Sequence, residues 1–316
     1  MKNCLITGAA GFIGSYLAAY LAEQGERVHG TIHRNSQPVV CLPKGVSLLA
    51  CDFTNRQQVA AAVAKGIPDY VFHLAAQSTP TRSWKEPEET LQTNVIGTIH
   101  LLEAVRAANP RASVVIAGSS AEYGSVTAEE LPVKESHPFR PSSPYGASKV
   151  AQEMLGYAYF RSYGLRVTSV RPFHITGPGK GDACNEFARQ IVQIERGELD
   201  CLRVGNLEAV RDVVDVRDAA RALWLVARKG EAGTAYNLCS GQGHSIRELL
   251  EGLVSLASVP VLVEPDPARL RPADDPVLVG DSSRLRALGW QPTILLEQTL
   301  GDVLSYCRAR PGPDRP

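Results

Sequence analysis

The 316-residue sequence predicts an α/β protein: a doubly wound, Rossmann-type parallel sheet followed by a smaller, C-terminal substrate-binding lobe. Three observations carry that prediction. Short apolar runs alternate with helical patterns through the first half of the chain. A glycine-rich turn, Gly8, Gly11 and Gly14, joins the first run to the first helix. The alternation stops after Pro172, where a loop and a proline-rich stretch begin. Strand–helix alternation argues for a parallel sheet covered on both faces.

The elements follow in order. Asn3–Gly8 reads as a buried strand and Phe12–Gln24 as the helix after it. Further strands are predicted at Val28–Ile32, Val46–Ala50, Tyr70–Leu74, Ser113–Ala117 and Arg166–Val170, with helices at Gln57–Lys65, Pro87–Ala108 and Pro144–Tyr163. Ligands on such a sheet sit beyond the carboxyl ends of its strands, which is where Gly8, Leu74, Ala75, Ala76, Ser119 and the Arg171–His174 segment fall. Residues 1–174 are expected to form the dinucleotide-binding domain, with returns near 212–230 and 276–282. Residues 175–211 and 231–308 are expected to form the lobe, and 309–316 a tail. In the lobe, helices are predicted at Asn185–Arg196, Arg247–Ala257 and Leu295–Tyr306.

Composition narrows the function classes. The formal net charge is +0 and hydrophobic residues make up 44%, which suits a globular enzyme without long-range attraction to nucleic acid or membrane phosphates. No apolar run approaches the ~20 residues that span a bilayer. The start runs directly into a strand, so no signal peptide is expected. Seven cysteines (4, 41, 51, 184, 201, 239 and 307) lack any Cys-x-x-Cys spacing and read as reduced, which places the protein in the cytoplasm with no metal site.

Two patterns carry chemistry. In Gly8, Gly11 and Gly14 the missing side chains let the backbone turn tightly and approach a pyrophosphate, which the following helix N-terminus attracts. In Pro144-Tyr-Gly-Ala-Ser-Lys149, Tyr145 and Lys149 share one helix face, so a phenol stands beside an ammonium group. A nearby cation helps a phenol, which titrates near ~10 in water, exchange protons at neutral pH. A cradle plus this pair points to hydride chemistry at a carbon bearing oxygen. Ser119, at the end of the Val114–Gly118 run, supplies a second donor to the same oxygen; Ser120 is a rival on sequence alone. Leu74, Ala75 and Ala76 are small enough to pass under a cofactor, and Gln77 and Ser78 follow as donors to a sugar. The second strand ends in His33-Arg34 without an acid, which favours NADP(H) over NAD(H), with Arg34 facing the 2′-phosphate.

Thr7-Gly-Ala-Ala-Gly-Phe-Ile-Gly14, His73-Leu-Ala-Ala-Gln77, Thr93-Asn-Val-Ile-Gly97, Ser119 before Tyr123-Gly124, and Arg171-Pro-Phe173 together resemble the extended short-chain dehydrogenase/reductases that modify nucleotide sugars. The resemblance runs to about Trp290-Gln-Pro292. Val204-Gly-Asn-Leu-Glu-Ala-Val-Arg-Asp212 and Leu270-Arg-Pro-Ala-Asp274 are most similar to its GDP-mannose branch. The resemblance implies catalysis by Ser119, Tyr145 and Lys149, with spacing to Tyr123 preferring Ser119 over Ser120. It implies cofactor contacts from Thr7, Gly8, Gly11, Phe12, Ile13, Gly14, Asp52, Phe53, Pro172 and His174. For a GDP-linked sugar it implies contacts from His174, Asn185, Val204, Arg211 and Arg271, the two arginines meeting the diphosphate. It also implies a homodimer through a four-helix bundle made by the segments Pro87–Ala108 and Pro144–Tyr163.

In the dehydratases of this superfamily a Glu two residues after the catalytic Ser or Thr drives water elimination. The matching residue here is Ala121. Glu122 is one place late, which in an extended strand would point it to the other face. The expectation is therefore NADPH-dependent reduction of the C4 keto group of a GDP-4-keto-6-deoxyhexose. A nucleotide-sugar 4-epimerase is the next reading, a 4,6-dehydratase the third, and a catalytically silent nucleotide sensor the non-enzyme alternative.

Overall fold

The computed structural model describes residues 1–33, 36–269 and 276–310. Arg34, Arg271 and the tail beyond 310 lie outside them. The first strand, β1 (Asn3–Thr7), passes through the glycine turn into α1 (Phe12–Glu23) and β2 (Arg27–Ile32). Then come β3 (Ser47–Ala50), α2 (Arg56–Gly66) and β4 (Tyr70–His73). Two short helices follow, α3 (Pro80–Lys85) and α4 (Pro87–Leu91). A π-turn, Gln92–Ile96, links α4 to α5 (Gly97–Ala108), and β5 (Ser113–Ala117) precedes α6 (Pro144–Tyr163) and β6 (Arg166–Pro172).

Seven parallel strands form the large sheet in the order β10-β6-β5-β4-β1-β2-β3, where β10 is Ala235–Leu238. The strand order changes direction between β1 and β4, the point at which connecting loops diverge and leave a crevice. One face is sealed by α1 and α8 (Val216–Lys229), whose Leu17, Leu21, Ala219, Leu223 and Val226 meet Ile6, Phe72 and Val115. The other face is sealed by α2 and α5, with Val59, Val63, Leu101 and Val105 against Val71, Val114 and Ile116. A fully buried Leu such as Leu101 contributes about 1.5–3 kcal/mol. The catalytic-motif helix α6 comes still closer to the sheet. At Gly156 a β-carbon would stand 2.8 Å from Ile116 Cδ1 and 2.9 Å from Val167 Cγ1.

Caps explain why the bounds of α6 match the sequence expectation. The Ser143 hydroxyl accepts from Gly146 N–H at 3.0 Å, Pro144 takes the first helical position, and Gly164 ends the helix at φ +67°. The segment predicted as one helix from Pro87 to Ala108 is instead interrupted by the π-turn. That extra residue turns Asn94 fully inward, a device common beside functional sites.

Beyond β6 the chain builds a second, smaller sheet. β7 (His174–Thr176) is followed by α7 (Ala183–Glu195), β8 (Leu202–Val204), β9 (Val210–Asp215) and, after β10, by β11 (Gly243–Ser245) and α9 (Ile246–Val254). Then come β12 (Val263–Pro265), β13 (Val277–Leu278), α10 (Ser283–Ala287) and α11 (Leu296–Arg308). β9 pairs with β7 and β13 in parallel and with β11 antiparallel, while β12 pairs with β8. Phe187, Ile191, Leu249, Leu253, Leu300 and Val303 fill the core beneath.

Two expectations about chain returns are corrected. β10, expected in the lobe from 231 onward, joins the large sheet beside β6. β13, expected back in the first domain, pairs with β9 in the small sheet, and only the following Val279–Asp281 segment returns, by hydrogen bonds to Val133. Asp212 ties these pieces together, its carboxylate accepting from Ser240, Gly241 and Gly280 N–H groups. No helix among the described residues is long and apolar enough to cross a membrane.

Candidate active site

At the carboxyl end of β1, Gly8 adopts φ +72°, and a β-carbon there would come within 3.0 Å of Ala75 N. Gly11 N–H closes the turn onto Gly8 O at 2.9 Å. At Gly14 a β-carbon would lie 2.2 Å from Gly8 O, so the first turn of α1 can rest on the loop only without a side chain. No side chain caps α1 and no acid occupies its first turn. Its orphan N–H groups and dipole are thus left for an anion, and the donor set fits the pyrophosphate of a dinucleotide.

Thr7, His73 and the loop Leu74–Gln77 form the floor. The Thr7 hydroxyl accepts from Leu74 N–H at 3.1 Å and Ala75 N–H at 3.0 Å, which leaves its proton for His73 Nδ1 at 2.9 Å. His73 Nε2–H then donates to Thr98 Oγ1 at 2.8 Å, because the Thr98 proton goes to Asn94 O and Gln152 Nε2 donates to the same hydroxyl. Burial, reinforced by the Lys149 charge, pushes His73 down to about 3, so it stays neutral. Asn94 links this floor to α6: its amide exchanges hydrogen bonds with both backbone groups of Gln77 and donates to Ser148 Oγ at 2.9 Å.

The wall opposite holds the predicted catalytic trio. Tyr145 and Lys149 are both buried on the sheet-facing side of α6, and Lys149 Nζ lies 5.8 Å from the Tyr145 ring centre. The ammonium donates to Ala117 O, the last residue of β5, at 2.9 Å. Burial lowers Lys149 to about 8, opposed by the charge of Glu122. Burial raises the Tyr145 phenol; the neighbouring Ser119 hydroxyl lowers it and the Glu122 charge adds to the rise. Ser119 therefore meets Tyr145 although 26 positions separate them along the chain.

Glu122 corrects one expectation. The chain after Gly118 is not extended: Ser119 caps a 3₁₀ turn, Ser120–Glu122, and accepts from Ala121 N–H at 3.1 Å. Glu122 folds back, fully buried, and its Oε1 accepts from Ser119 N–H at 2.8 Å. Its Oε2 lies 3.3 Å from Arg171 Nε without a hydrogen bond, since Arg171 is committed to Glu153. The helical turn, rather than strand alternation, keeps the carboxylate behind Ser119.

Other predicted residues fall into two groups. Ser78 is exposed and Ser120 half-buried beside Ser119, while Pro172 ends β6. His174 lies on β7 with Nε2 3.3 Å from Asp182 Oδ2. Arg211 is the second residue of β9 and donates to Val210 O. Several others are engaged within the chain. The Gln77 amide is held locally: Nε2 donates to Thr79 O and Thr90 Oγ1, and Oε1 accepts from Thr79 N–H. Asn185 spends its amide on the loop before α7, donating to Gly177 O and Asp182 and accepting from Gly179 N–H. The Val204 side chain is buried in the core of the small sheet. Phe53 packs inward, 5.6 Å from the His73 ring, and Asp52 closes a local turn by accepting from Thr54 N–H and Oγ1.

Three contributors escape a reading of the sequence. Glu122 and Asn94 stand inside motifs that assign them no role. Lys180, which has no informative sequence context, donates to Ile175 O and places Nζ 5.3 Å from the Phe12 ring centre, at the start of α1. The glycines around it, at positions 177, 179 and 181, are the available signal of a loop folded over the cradle.

This geometry has close counterparts. A sequence model of the family described as GDP-mannose 4,6 dehydratase matches residues 5–303. The chain belongs to that family. GDP-6-deoxy-D-mannose reductase of Pseudomonas aeruginosa is 35% identical over 98% of each chain. The structure of RMD from Pseudomonas aeruginosa complexed with NADPH superposes with TM-score 0.85 at 32% identity, covering 98% of this chain and 99% of the other. The UDP-glucose 4-epimerase of Thermus thermophilus in complex with NAD gives TM-score 0.86, also at 32% identity, covering 96% of this chain and 98% of the other. Membership carries the sheet order and the resemblance read from the motifs.

Proposed function

We propose that the protein is an NADPH-dependent reductase of the C4 keto group of a GDP-linked 4-keto-6-deoxyhexose. One observation carries the choice within the family. Ser119, Tyr145 and Lys149 share one wall, whereas the elimination position holds Ala121 and the adjacent acid, Glu122, is turned away and fully buried. Reduction needs a proton donor at oxygen; elimination needs a base at carbon as well. The similarity to a GDP-6-deoxy-D-mannose reductase over nearly the whole of both chains supports the same reading.

In this reading the cradle of Gly8, Gly11 and Gly14 and the first-turn N–H groups of Phe12 and Ile13 hold the dinucleotide pyrophosphate. When bound, the cofactor supplies the hydride to C4. Tyr145 gives its phenolic proton to the C4 oxygen, and Ser119 donates a hydrogen bond to the same atom. The Lys149 ammonium, pinned by Ala117 O, favours the phenolate left behind until water reprotonates it. One hydride and one proton turn the ketone into an alcohol. Arg34, outside the described residues, meets the 2′-phosphate, and Arg211 with Arg271, also outside them, meets the GDP diphosphate. Arg34→Ala should raise the Kd of NADPH about 10–100-fold more than that of NADH, the loss of ~1.5–3 kcal/mol of charged hydrogen bonding.

The protein is further proposed to be cytoplasmic, a reading supported by cysteines scattered without any Cys-x-x-Cys spacing. It is proposed to dimerise through α4, α5 and α6, where Leu91, Met154, Tyr157 and Tyr163 are exposed apolar residues. Net cofactor turnover is the test of reductase against epimerase. Purified enzyme given excess NADPH and the 4-keto sugar should oxidise one NADPH per sugar reduced. Tightly held cofactor with no net oxidation would instead favour the epimerase.

A further inference from the structure

Two three-residue 3₁₀ turns in this chain carry the same capping box, and they use it differently. In the turn Ala128–Glu130, Glu130 accepts from Thr127 N–H at 2.9 Å while staying partly in solvent beside Arg140. A cap asks no more than this. In the turn Ser120–Glu122 the equivalent carboxyl is fully buried, although burying a carboxylate is costly unless it is paired. The pairing is incomplete, because Arg171 makes both its carboxylate hydrogen bonds to Glu153 on α6. Space has been kept for Glu122 all the same: a β-carbon at Gly118 would lie 2.3 Å from its Oε1.

We propose that Glu122 is a positioning residue for the catalytic wall. It fixes the Ser119 backbone through the 2.8 Å bond to its N–H, two residues from Ala117, whose carbonyl holds the Lys149 ammonium at 2.9 Å; on that short stretch its charge is coupled to the protonation of Lys149 and Tyr145. The inference rests on the assignment of Ser119, Tyr145 and Lys149 as the catalytic trio. The groups facing Glu122 are few. Its own turn brings Ser119 N–H and Tyr123, β6 brings Arg171, and α6 brings Glu153, Lys149 and Tyr145. Burial and the Glu153 charge hold the Glu122 carboxyl up at about 8, against Arg171, the Ser119 N–H and Lys149.

The sign follows from these neighbours. As pH rises through that range Glu122 ionises, and its negative charge then opposes loss of the Lys149 and Tyr145 protons. Glu122 thus extends the donor-competent state of Tyr145 toward alkaline pH.

Two variants separate charge from position. Glu122→Gln keeps an oxygen for Ser119 N–H and removes the charge. Tyr145 is then titrated by carbon-13 NMR of the tyrosine Cζ in the NADPH complex, its signal assigned by loss in Tyr145→Phe. The titration should move down by about one pH unit, and the alkaline limb of kcat/KM should move with it. An unmoved titration overturns the coupling. Glu122→Asp keeps the charge but draws it off Ser119 N–H; kcat should fall by ~10–10²-fold with the limb in place. Wild-type kcat in that variant overturns the positioning role. Should the Gln variant not fold, wild type decides: the carbon-13 signal of the Glu122 carboxyl must titrate above the ordinary glutamate range, and a carboxyl titrating in the ordinary range overturns the coupling. The NMR titration needs no sugar, so a wild type that fails to reduce the 4-keto sugar defeats the reductase reading while the coupling is still measured.

Discussion

The pyrophosphate cradle and the catalytic wall lie at the same end of one sheet and are made of opposite materials. The turn from Gly8 to Gly14 carries no charged side chain: it works because β-carbons are missing at Gly8 and Gly14 and because no side chain caps α1. The wall is dense in buried ionisable groups, with Glu122, Lys149, Glu153 and Arg171 all below a tenth exposed. A site recognising a constant group can be built from backbone and tolerates no added atom. A site moving a proton needs groups poised near neutrality, and poising comes from burial and neighbours. The two regions should therefore fail in different ways.

The largest effect belongs to the wall. Tyr145→Phe should lower kcat by ~10²–10⁴-fold while NADPH binding, measured by fluorescence titration, stays close to wild type. Turnover near wild type would remove Tyr145 from its role. Next comes Arg171→Met, which strands Glu153 and Glu122 without their cation. Breaking a buried pair in this way should cost about 3–5 kcal/mol, read as a lowered midpoint of urea denaturation. Gly14→Ala strikes the cradle instead: the 2.2 Å clash with Gly8 O should cost about 1–3 kcal/mol and weaken NADPH binding. If kcat at saturating NADPH falls as far as in Tyr145→Phe, the separation between the regions is wrong.

The smallest effect concerns the strap from β7 to α7. Burial pushes the Asp182 carboxyl up, but His174, Lys180 and Thr176 outweigh it and hold it down at about 2, below its ordinary 3.8. A depressed acid adds stability above the ordinary value and loses it as pH falls toward 2. The stability gap between wild type and Asp182→Asn should hence be full above about pH 5 and shrink below about pH 4. A gap that does not change with pH would assign Asp182 a purely steric part.

The same contrast decides what is legible in the sequence. Gly8, Gly11, Gly14, Tyr145 and Lys149 can be read because their meaning lies in local spacing, and the bounds of α6 because Ser143, Pro144 and Gly164 cap it locally. Glu122 is misjudged when the backbone after Gly118 is read as extended, and only the 3₁₀ turn shows the carboxyl folding back onto Ser119. Gln77 and Asn185 look like ligand donors in sequence, yet each spends its amide on a nearby loop. β10 escapes the sequence because four residues, Ala-Tyr-Asn-Leu, carry almost no pattern; their place is fixed by non-local pairing with β6. Arg34 and Arg271 rest on the sequence alone.

The central claim is that this site reduces and does not dehydrate. Wild-type enzyme is incubated in parallel with GDP-mannose plus NADP⁺ and with GDP-4-keto-6-deoxymannose plus NADPH, and the sugars are followed by proton NMR. The account predicts no 4-keto product from GDP-mannose and steady conversion of the 4-keto sugar to its C4 alcohol. Sustained water elimination from GDP-mannose, with the 4-keto sugar left unreduced, would contradict it.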